Sequence, residues 1–261
     1  MKQNFINNCL LTLGTFLMLL SCNQSGNKEE SATATDTTAT TTTAMAEPVI
    51  VSVPDAVRAA PNLYKVLKDT AGIRVVEVIA NAGDTAAFHA HPDAVLYVLS
   101  GGKAEFTAKD GTKQTVELKS GTISIDPAHD HGVKNAGTTP IKAILVEVNR
   151  SNNAGAALDA ALDPAKVAPT LYKTQKDSMN IRVVMATYKA GASSAMHSHP
   201  DHIAYAIKGG TAEGTAKDGT KTVIDLPTGS AFFAPAGQHS IKNTGKSDMK
   251  ILLVEVNRAA Q

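Results

Sequence analysis

Residues 197–202 read His-Ser-His-Pro-Asp-His, and residues 89–94 read His-Ala-His-Pro-Asp-Ala. Each stretch places two histidines at positions i and i+2, which point to the same face of a β-strand. The chain has eight histidines, and all of them fall in two matching sets, at positions 89, 91, 129 and 131, and at 197, 199, 202 and 239. This clustering predicts two metal sites, or one site and its relic.

The histidine sets belong to a longer internal repeat. Leu-Tyr-Lys at 63–65 returns at 171–173, and Val-Glu-Val-Asn-Arg at 146–150 returns at 254–258, both with an offset of 108 residues. The two halves align without a gap, and roughly half of the aligned positions are identical. A period of this length indicates a duplicated domain rather than a solenoid unit.

Strand signals are frequent within each repeat. In the first repeat the predicted strands cover residues 73–78, 95–99, 103–108, 115–118, 122–125 and 141–148. Asp110-Gly111, which recurs at 218–219, predicts a tight hairpin turn with positive φ at both central residues. Many short strands at regular spacing predict an all-β sandwich or barrel.

The order of Gly, His-x-His-Pro, Gly, hairpin, Gly, Pro, His and Asn in both repeats resembles the cupin superfamily. Its first motif begins with a Gly six residues before the first His, as Gly83 and Gly191 stand before His89 and His197. Its second motif, Gly-x5-Pro-x-Gly-x2-His-x3-Asn, is matched by Gly121, Pro127, His131 and Asn135, and by Gly229, Pro235, His239 and Asn243. The resemblance implies two tandem double-stranded β-helix (jelly-roll) cupin barrels, a bicupin.

The chain departs from the cupin pattern at the third ligand, which is usually Glu. Counting back seven residues from the Gly at the strand end reaches His202 in the second repeat but Ala94 in the first. The loop after His-x-His and the step from Pro to the last His are each one residue short in both repeats. The metal ligands that the resemblance implies are His197, His199, His202 and His239 in the C-terminal repeat, and His89, His91 and His131 in the N-terminal repeat.

Further candidates lie beside these histidines. His129 replaces the motif Gly that aligns with Gly237, and it is either a fourth ligand or a surface residue. Asp93 and Asp201 directly follow the Pro and could supply a ligand oxygen.

Other residues receive structural or supporting interpretations. Glu105 and Glu213 are candidate partners of the ligand histidines, and Arg74 and Arg182 are expected on a solvated face. The residues expected to serve packing or strand ends are Tyr97, Tyr205, Gly101, Gly102, Gly209 and Gly210.

The two repeats differ in the size of their inward side chains. The inward phase after His202 is Ala204 and Ala206, where the first repeat has Leu96 and Val98. Phe106 becomes Gly214, while Phe232 and Phe233 replace Ser124 and Ile125. Several methylenes of difference are enough to fill or open a pocket. We therefore expect the open metal site in the C-terminal barrel and a partly filled N-terminal barrel.

The N-terminus has the features of a targeting segment. Lys2 precedes an apolar run that ends in Leu-Leu-Ser-Cys at 19–22, which resembles a bacterial lipobox with Cys22 as the lipidated residue. An ordinary signal peptide or an uncleaved anchor is the alternative. Residues 1–21 are predicted to be the lipoprotein signal peptide and 22–47 a disordered Thr/Ala-rich tether.

The remaining boundaries follow from the repeat. Cupin domain 1 is predicted at 48–150, a connector that forms a short helix at 151–162, and cupin domain 2 at 163–261. The expected location is the cell envelope, where a lipid would anchor the protein in the outer membrane, either in the periplasm or at the cell surface.

Composition and donor chemistry narrow the function. A net charge of +1 gives no indication of nucleic-acid binding. Imidazole ligands suit divalent Fe, Cu, Zn or Ni, whereas the usual carboxylate would have favoured Mn or Fe. The expected cofactor is a divalent transition metal, which is Fe, Cu, Zn, Ni or Mn. The first hypothesis is a metal-dependent enzyme of the dioxygenase, decarboxylase or isomerase type that acts on a small organic molecule. The second is a non-catalytic module that binds a small ligand or metal, and the third is a purely structural barrel. The sequence is compatible with either a monomer or a dimer.

Overall fold

The computed structural model describes residues 52–149 and 159–256. The predicted signal peptide, the Thr/Ala-rich tether, Cys22 and the 151–158 part of the connector lie outside these residues. Within them no helix is long and apolar enough to cross a membrane. The described end of the connector forms a short 3-10 helix, Ala160–Leu162.

Each repeat folds into one short helix followed by nine strands. The first contains α1 (Ala56–Ala59), β1 (Tyr64–Thr70), β2 (Ile73–Ala80), β3 (Thr85–His91), β4 (Asp93–Ser100), β5 (Gly102–Thr107), β6 (Lys113–Leu118), β7 (Ile123–Asp126), β8 (His129–Asn135) and β9 (Ile141–Val148). The second contains α2 (Pro164–Val167), β10 (Tyr172–Ser178), β11 (Ile181–Tyr188), β12 (His197–His199), β13 (His202–Lys208), β14 (Gly210–Ala216), β15 (Lys221–Leu226), β16 (Ala231–Ala234), β17 (Gly237–Asn243) and β18 (Met249–Glu255). All six strands predicted for the first repeat are present within two residues at either end.

Two antiparallel sheets make up each repeat. The N-terminal repeat has a five-stranded sheet in the order β1-β2-β9-β4-β7 and a four-stranded sheet in the order β3-β8-β5-β6. The C-terminal repeat has the same arrangement, β10-β11-β18-β13-β16 and β12-β17-β14-β15. This topology confirms the prediction of two tandem cupin jelly-roll barrels.

Alternate residues on the strands of the five-stranded sheets face two different cores. On β13, Ile203 and Tyr205 pack in a core to which both repeats contribute, while Ala204 and Ala206 pack inside the C-terminal barrel. Tyr97 occupies the same place in the shared core from β4. The prediction that the two tyrosines are packing residues is confirmed. A sheet that is covered on both faces explains why these strands are apolar almost throughout.

The hairpin between β5 and β6 differs from the predicted two-residue turn. Gly111 has a φ of 84°, but Asp110 is not among the described residues with positive φ. The carboxylate of Asp110 instead accepts the backbone N–H of Thr112 at 2.8 Å. This local hydrogen bond closes the turn with a single left-handed residue, and the turn at 218–219 has the same form.

Candidate metal centre

Three histidines converge in the C-terminal barrel. His197 and His199 lie on β12, and His239 lies opposite His197 on the neighbouring strand β17. One ring nitrogen from each residue lies within 4.8 Å of the others, and His197 and His199 are fully buried. The i, i+2 spacing therefore brings two imidazoles to one point, and strand pairing adds the third.

The N-terminal barrel repeats this arrangement. His89 and His91 lie on β3, and His131 faces His89 from β8. Their ligand atoms also lie within 4.8 Å of one another. Because the duplicated spacing gives the same convergence twice, the trio is a property of the fold and not an accident of one barrel.

Hydrogen bonds to Nδ1 orient the paired histidines. Nδ1 of His197 lies 2.7 Å from the carbonyl oxygen of Ala195, and Nδ1 of His199 lies 2.7 Å from Oε1 of Glu255. A carbonyl or carboxylate oxygen only accepts, so Nδ1 carries the proton and donates. Nε2 then keeps its lone pair, which is the state that a metal ligand requires. His89 and His91 are held in the same way by Ala87 and Glu147.

Burial favours the neutral form of His197, His239 and His131. Desolvation, together with the charges of the neighbouring histidines, lowers the pKa of His197 to about 4 and that of His239 to about 3. The pKa of His131 falls to about 3 for the same reasons. Neutral imidazoles at pH 7 are competent ligands for divalent transition metals.

A fourth imidazole lies near each trio, and the two barrels supply it from strands that do not correspond, β13 in the C-terminal barrel and β8 in the N-terminal barrel. The ring centroid of His202, at the start of β13, lies 4.8 Å from that of His199. His129, at the start of β8, lies 4.8 Å from His131 and 5.5 Å from His91. Both donate Nδ1–H to the carbonyl of a Pro two residues earlier. Neither belongs to the group of three converging ligand atoms, so ligation by His202 stays a prediction.

The residues predicted as partners of the ligands lie elsewhere. Glu105 and Glu213 form exposed ion pairs with lysines on the adjacent strands β6 and β15. They point away from the histidines because β5 and β14 place them on the outer faces of their sheets. The prediction that these glutamates support the ligands is wrong.

Two other carboxylates hold the ligand histidines. Glu147 and Glu255 have no exposed surface, and each accepts Nδ1–H from a histidine of the trio. Each also accepts a hydrogen bond from an arginine, Arg74 or Arg182, at 2.5 Å. The expectation that these arginines lie on a solvated face is therefore wrong. The missed signal was a repeated Glu within the apolar strands β9 and β18.

Sequence reasoning also missed a tyrosine in each site. The hydroxyl of Tyr172 lies 2.9 Å from Nε2 of His197 and 2.5 Å from the hydroxyl of Tyr188. In the first repeat the hydroxyl of Tyr64 lies 3.2 Å from Nε2 of His89. The repeated Leu-Tyr-Lys was the available signal, but only the packing of β1 and β10 under the histidines reveals its role.

Asp93 and Asp201 fasten a turn. Each accepts the backbone N–H of a residue in the turn that precedes the last histidine strand, Ala128 or Ala236, at 2.9 and 2.8 Å. Neither belongs to the groups of converging ligand atoms among the described residues. Their position after the Pro thus serves loop closure, which corrects the expectation of a ligand oxygen.

Side-chain volume is redistributed between the two sites. Ala204 on β13 lies opposite Phe232 on β16, whereas Leu96 lies opposite Ser124 in the first repeat. The large and small members of this pair have changed places. Phe232 lies on the same face of the sheet as Ala204 and is partly exposed.

A second exchange lies nearer the last histidine of each trio. The ring of Phe106 makes an edge contact with His131, with centroids 5.3 Å apart. At the matching Gly214, an added Cβ would lie 3.0 Å from the side chain of Ile224. Isoleucine therefore recovers part of the volume that the glycine leaves open.

Comparison with known proteins agrees with the observed fold. The cupin domain family matches residues 184–255, which extend from within β11 to the end of β18. No curated protein matches the chain. AerE from Microcystis aeruginosa is similar in structure, with a TM-score of 0.51 and 18% identity over 74% of this chain and 97% of that protein.

Two further solved structures have the same fold. Oxalate decarboxylase from Bacillus subtilis, a protein with Mn(II) centres, is similar with a TM-score of 0.52 and 14% identity over 79% of this chain and 72% of its own. Vicilin from hazelnut, Corylus avellana, is similar with a TM-score of 0.50 and 13% identity over 75% and 84%. The chain thus matches the cupin domain family at residues 184–255, and its two repeats have the fold of tandem cupin barrels.

Proposed function

We propose that the protein binds a divalent transition metal in its C-terminal barrel and uses it to act on a small organic molecule. The observation that carries this proposal is the convergence of three ligand nitrogens within 4.8 Å on two paired strands. The proposed ligands are His197, His199 and His239, with His202 at the edge of the same site. His89, His91 and His131 are the corresponding proposed ligands of the N-terminal barrel.

The donor set fits such an ion. Three imidazoles on rigid strands favour divalent Fe, Cu, Zn or Ni, and Mn, which was also expected, is the metal of one protein with the same fold. Three protein ligands leave positions for water or substrate, where the ion would act as a Lewis acid or as a redox centre. The protein residues orient the ligands, exclude bulk water and offer hydrogen bonds beside the open positions.

Two polar groups lie beside the proposed ligands. The Tyr172 hydroxyl lies beside His197, and burial keeps it protonated by raising its pKa well above the usual value. Burial also lowers the pKa of His202 to about 4, which leaves it a neutral imidazole next to His199. Together they can donate and accept a hydrogen bond at a small oxygenated ligand. This supports a reaction of the dioxygenase, decarboxylase or isomerase type. Among enzymes of these types, oxalate decarboxylase has a similar fold.

The second candidate function is binding without catalysis. Arg74 and Arg182 are both committed to buried carboxylates, which removes them as clamps for an anionic substrate. A ligand or metal could be captured by the same histidines without being converted. Thermal-shift measurements with candidate substrates, with and without chelator, followed by product analysis, separate the two functions.

Metal analysis tests the site itself. In a His197→Ala, His199→Ala double variant we expect the purified protein to lose the metal that is bound in the C-terminal barrel, because two of the three ligands are removed. The His89→Ala, His91→Ala variant is the matched control for the other barrel. Undiminished metal in the first variant would contradict the proposal.

We propose in addition that the protein is anchored in the bacterial envelope through a lipid on Cys22. The support is the Leu-Leu-Ser-Cys sequence after the apolar run, followed by a Thr/Ala-rich spacer. A Cys22→Ser variant should lose incorporation of labelled palmitate and leave the membrane fraction. Membrane retention without labelling would indicate an uncleaved anchor instead.

A further inference from the structure

A chain of charged contacts leads from the surface helix α2 to a proposed metal ligand. Nη1 of Arg182 is paired with Asp163, and its Nε donates to Oε2 of Glu255 at 2.5 Å. The other oxygen of Glu255 accepts Nδ1–H of His199 at 2.7 Å. We name these four residues the C-terminal relay.

Strand register brings the relay together. Arg182 on β11 lies directly opposite Glu255 on β18, in the phase that faces the barrel interior. The glutamate has no exposed surface. Its two oxygens bridge the guanidinium of Arg182 and the imidazole of His199.

The outer end of the relay is also built in. One carboxylate oxygen of Asp163 accepts the backbone N–H of Ala165 as the N-cap of α2, at 2.8 Å. Its other oxygen is the one paired with Arg182. The charge of the arginine is thus balanced on both sides by groups fixed to the fold.

The first repeat contains the same arrangement. Arg74 donates to Glu147 at 2.5 Å and lies 3.3 Å from Asp55, the N-cap of α1. Glu147 accepts Nδ1–H of His91 at 2.9 Å. The relay therefore occurs twice, each time at the second histidine of the His-x-His pair.

We propose that Glu255 and Arg182 are positioning residues that fix the tautomer of His199 and set its strength as a metal ligand, and that Glu147 and Arg74 do the same for His91. This proposal rests on the proposed metal site. A carboxylate that accepts Nδ1–H holds the ring with Nε2 free and makes that nitrogen a better donor. The arginine limits this effect by withdrawing part of the carboxylate's charge. A purely structural ion pair would not need its second oxygen on a ligand histidine.

Titration with Co(II), followed by its visible absorption, tests this role. The background is the His89→Ala, His91→Ala variant, in which only the C-terminal site remains. In this background Glu255→Gln should weaken Co(II) binding by about 10- to 100-fold and change the absorption spectrum, because the donor strength of His199 falls. Binding of Co(II) with parental affinity and spectrum would overturn the positioning role.

A matched substitution distinguishes the relay from general damage. Glu213→Gln makes the same change at an exposed ion pair, so it should leave the Co(II) affinity and spectrum of the background unchanged. If it weakened binding as much as Glu255→Gln, the relay would have no specific role. Failure of the background itself to bind Co(II) would overturn the metal site and the relay with it.

A second variant covers the case in which Glu255→Gln does not fold. The Arg182→Met, Glu255→Gln double variant removes the buried carboxylate and its guanidinium together, so only Asp163, which is partly exposed and caps α2, loses an ion-pair partner. We expect it to fold, to bind Co(II) more weakly than the background and to show the altered spectrum. Parental Co(II) binding by this variant would equally overturn the proposal.

Discussion

At the scale of single residues, burial decides the charge of the site histidines. His197 and His239 are desolvated by the barrel around them, and desolvation is the largest cause of their lowered pKa values. The same histidines in an unfolded chain would titrate near 6.5. Folding therefore favours their neutral form, which makes stability depend on pH.

We predict that the metal-free protein loses stability as the pH falls from 7 to 5. In this range the unfolded chain binds protons that the folded histidines, with pKa values of about 3 to 4, do not bind. The free energy of unfolding should decline by up to about 1.4 kcal/mol per pH unit for each such group. Urea denaturation at several pH values measures the slope, and a His202→Gln variant should show a smaller one. A flat profile would contradict the burial argument.

At the scale of elements, glycines decide where one strand can turn into the next. Gly209 separates β13 from β14, and a Cβ at this position would lie 1.8 Å from the carbonyl oxygen of Leu226. Gly101 is equally crowded by Leu118 in the first repeat. This agrees with the expectation that these glycines serve the strand ends. The turn leads the chain from β13, in the five-stranded sheet, into β14, in the four-stranded sheet that carries His197, His199 and His239.

We predict that Gly209→Ala destabilises the protein by about 3 kcal/mol or more, because the backbone must move to relieve the clash. Gly219→Ala is the matched control. Its φ of 86° costs an alanine about 1–2 kcal/mol, but no atom lies within 4 Å of the added Cβ. Chemical denaturation of both variants gives the comparison. Equal losses would indicate that backbone strain, not crowding, limits the corner.

At the scale of the whole molecule, one apolar core joins the two barrels. Strands from both five-stranded sheets contribute to it, and Leu252 and Ile144 are among its fully buried members. The described residues of both repeats belong to one compact unit. Since each barrel covers an apolar face of the other, neither is expected to be stable alone.

We predict that Leu252→Ala lowers the stability of both barrels together, by about 2–5 kcal/mol. The leucine lies in the second repeat, yet the cavity opens in the core shared with the first. Calorimetry should show a single transition that moves to lower temperature as a unit. Two separate transitions, with only one displaced, would contradict the shared-core interpretation.

Much of this architecture could be predicted because it depends on local patterns. Short apolar and β-branched runs separated by turn signals predicted the six strands named in the first repeat, and the 108-residue offset predicted two similar barrels. The i, i+2 histidines converge because strand geometry alone sends both side chains to one face. The third histidine followed from its fixed place in a motif.

Only the tertiary structure decided the contacts between residues that lie far apart in the chain. Arg182 meets Glu255, and Glu255 meets His199, through the register of β11, β18 and β12. A buried carboxylate is indistinguishable by type from an exposed one such as Glu213, and its protonation and partners depend on surroundings that folding creates. The sequence by itself therefore determined the two barrels and the histidine trios. The groups that orient and tune those histidines were decided only when the sheets closed around them.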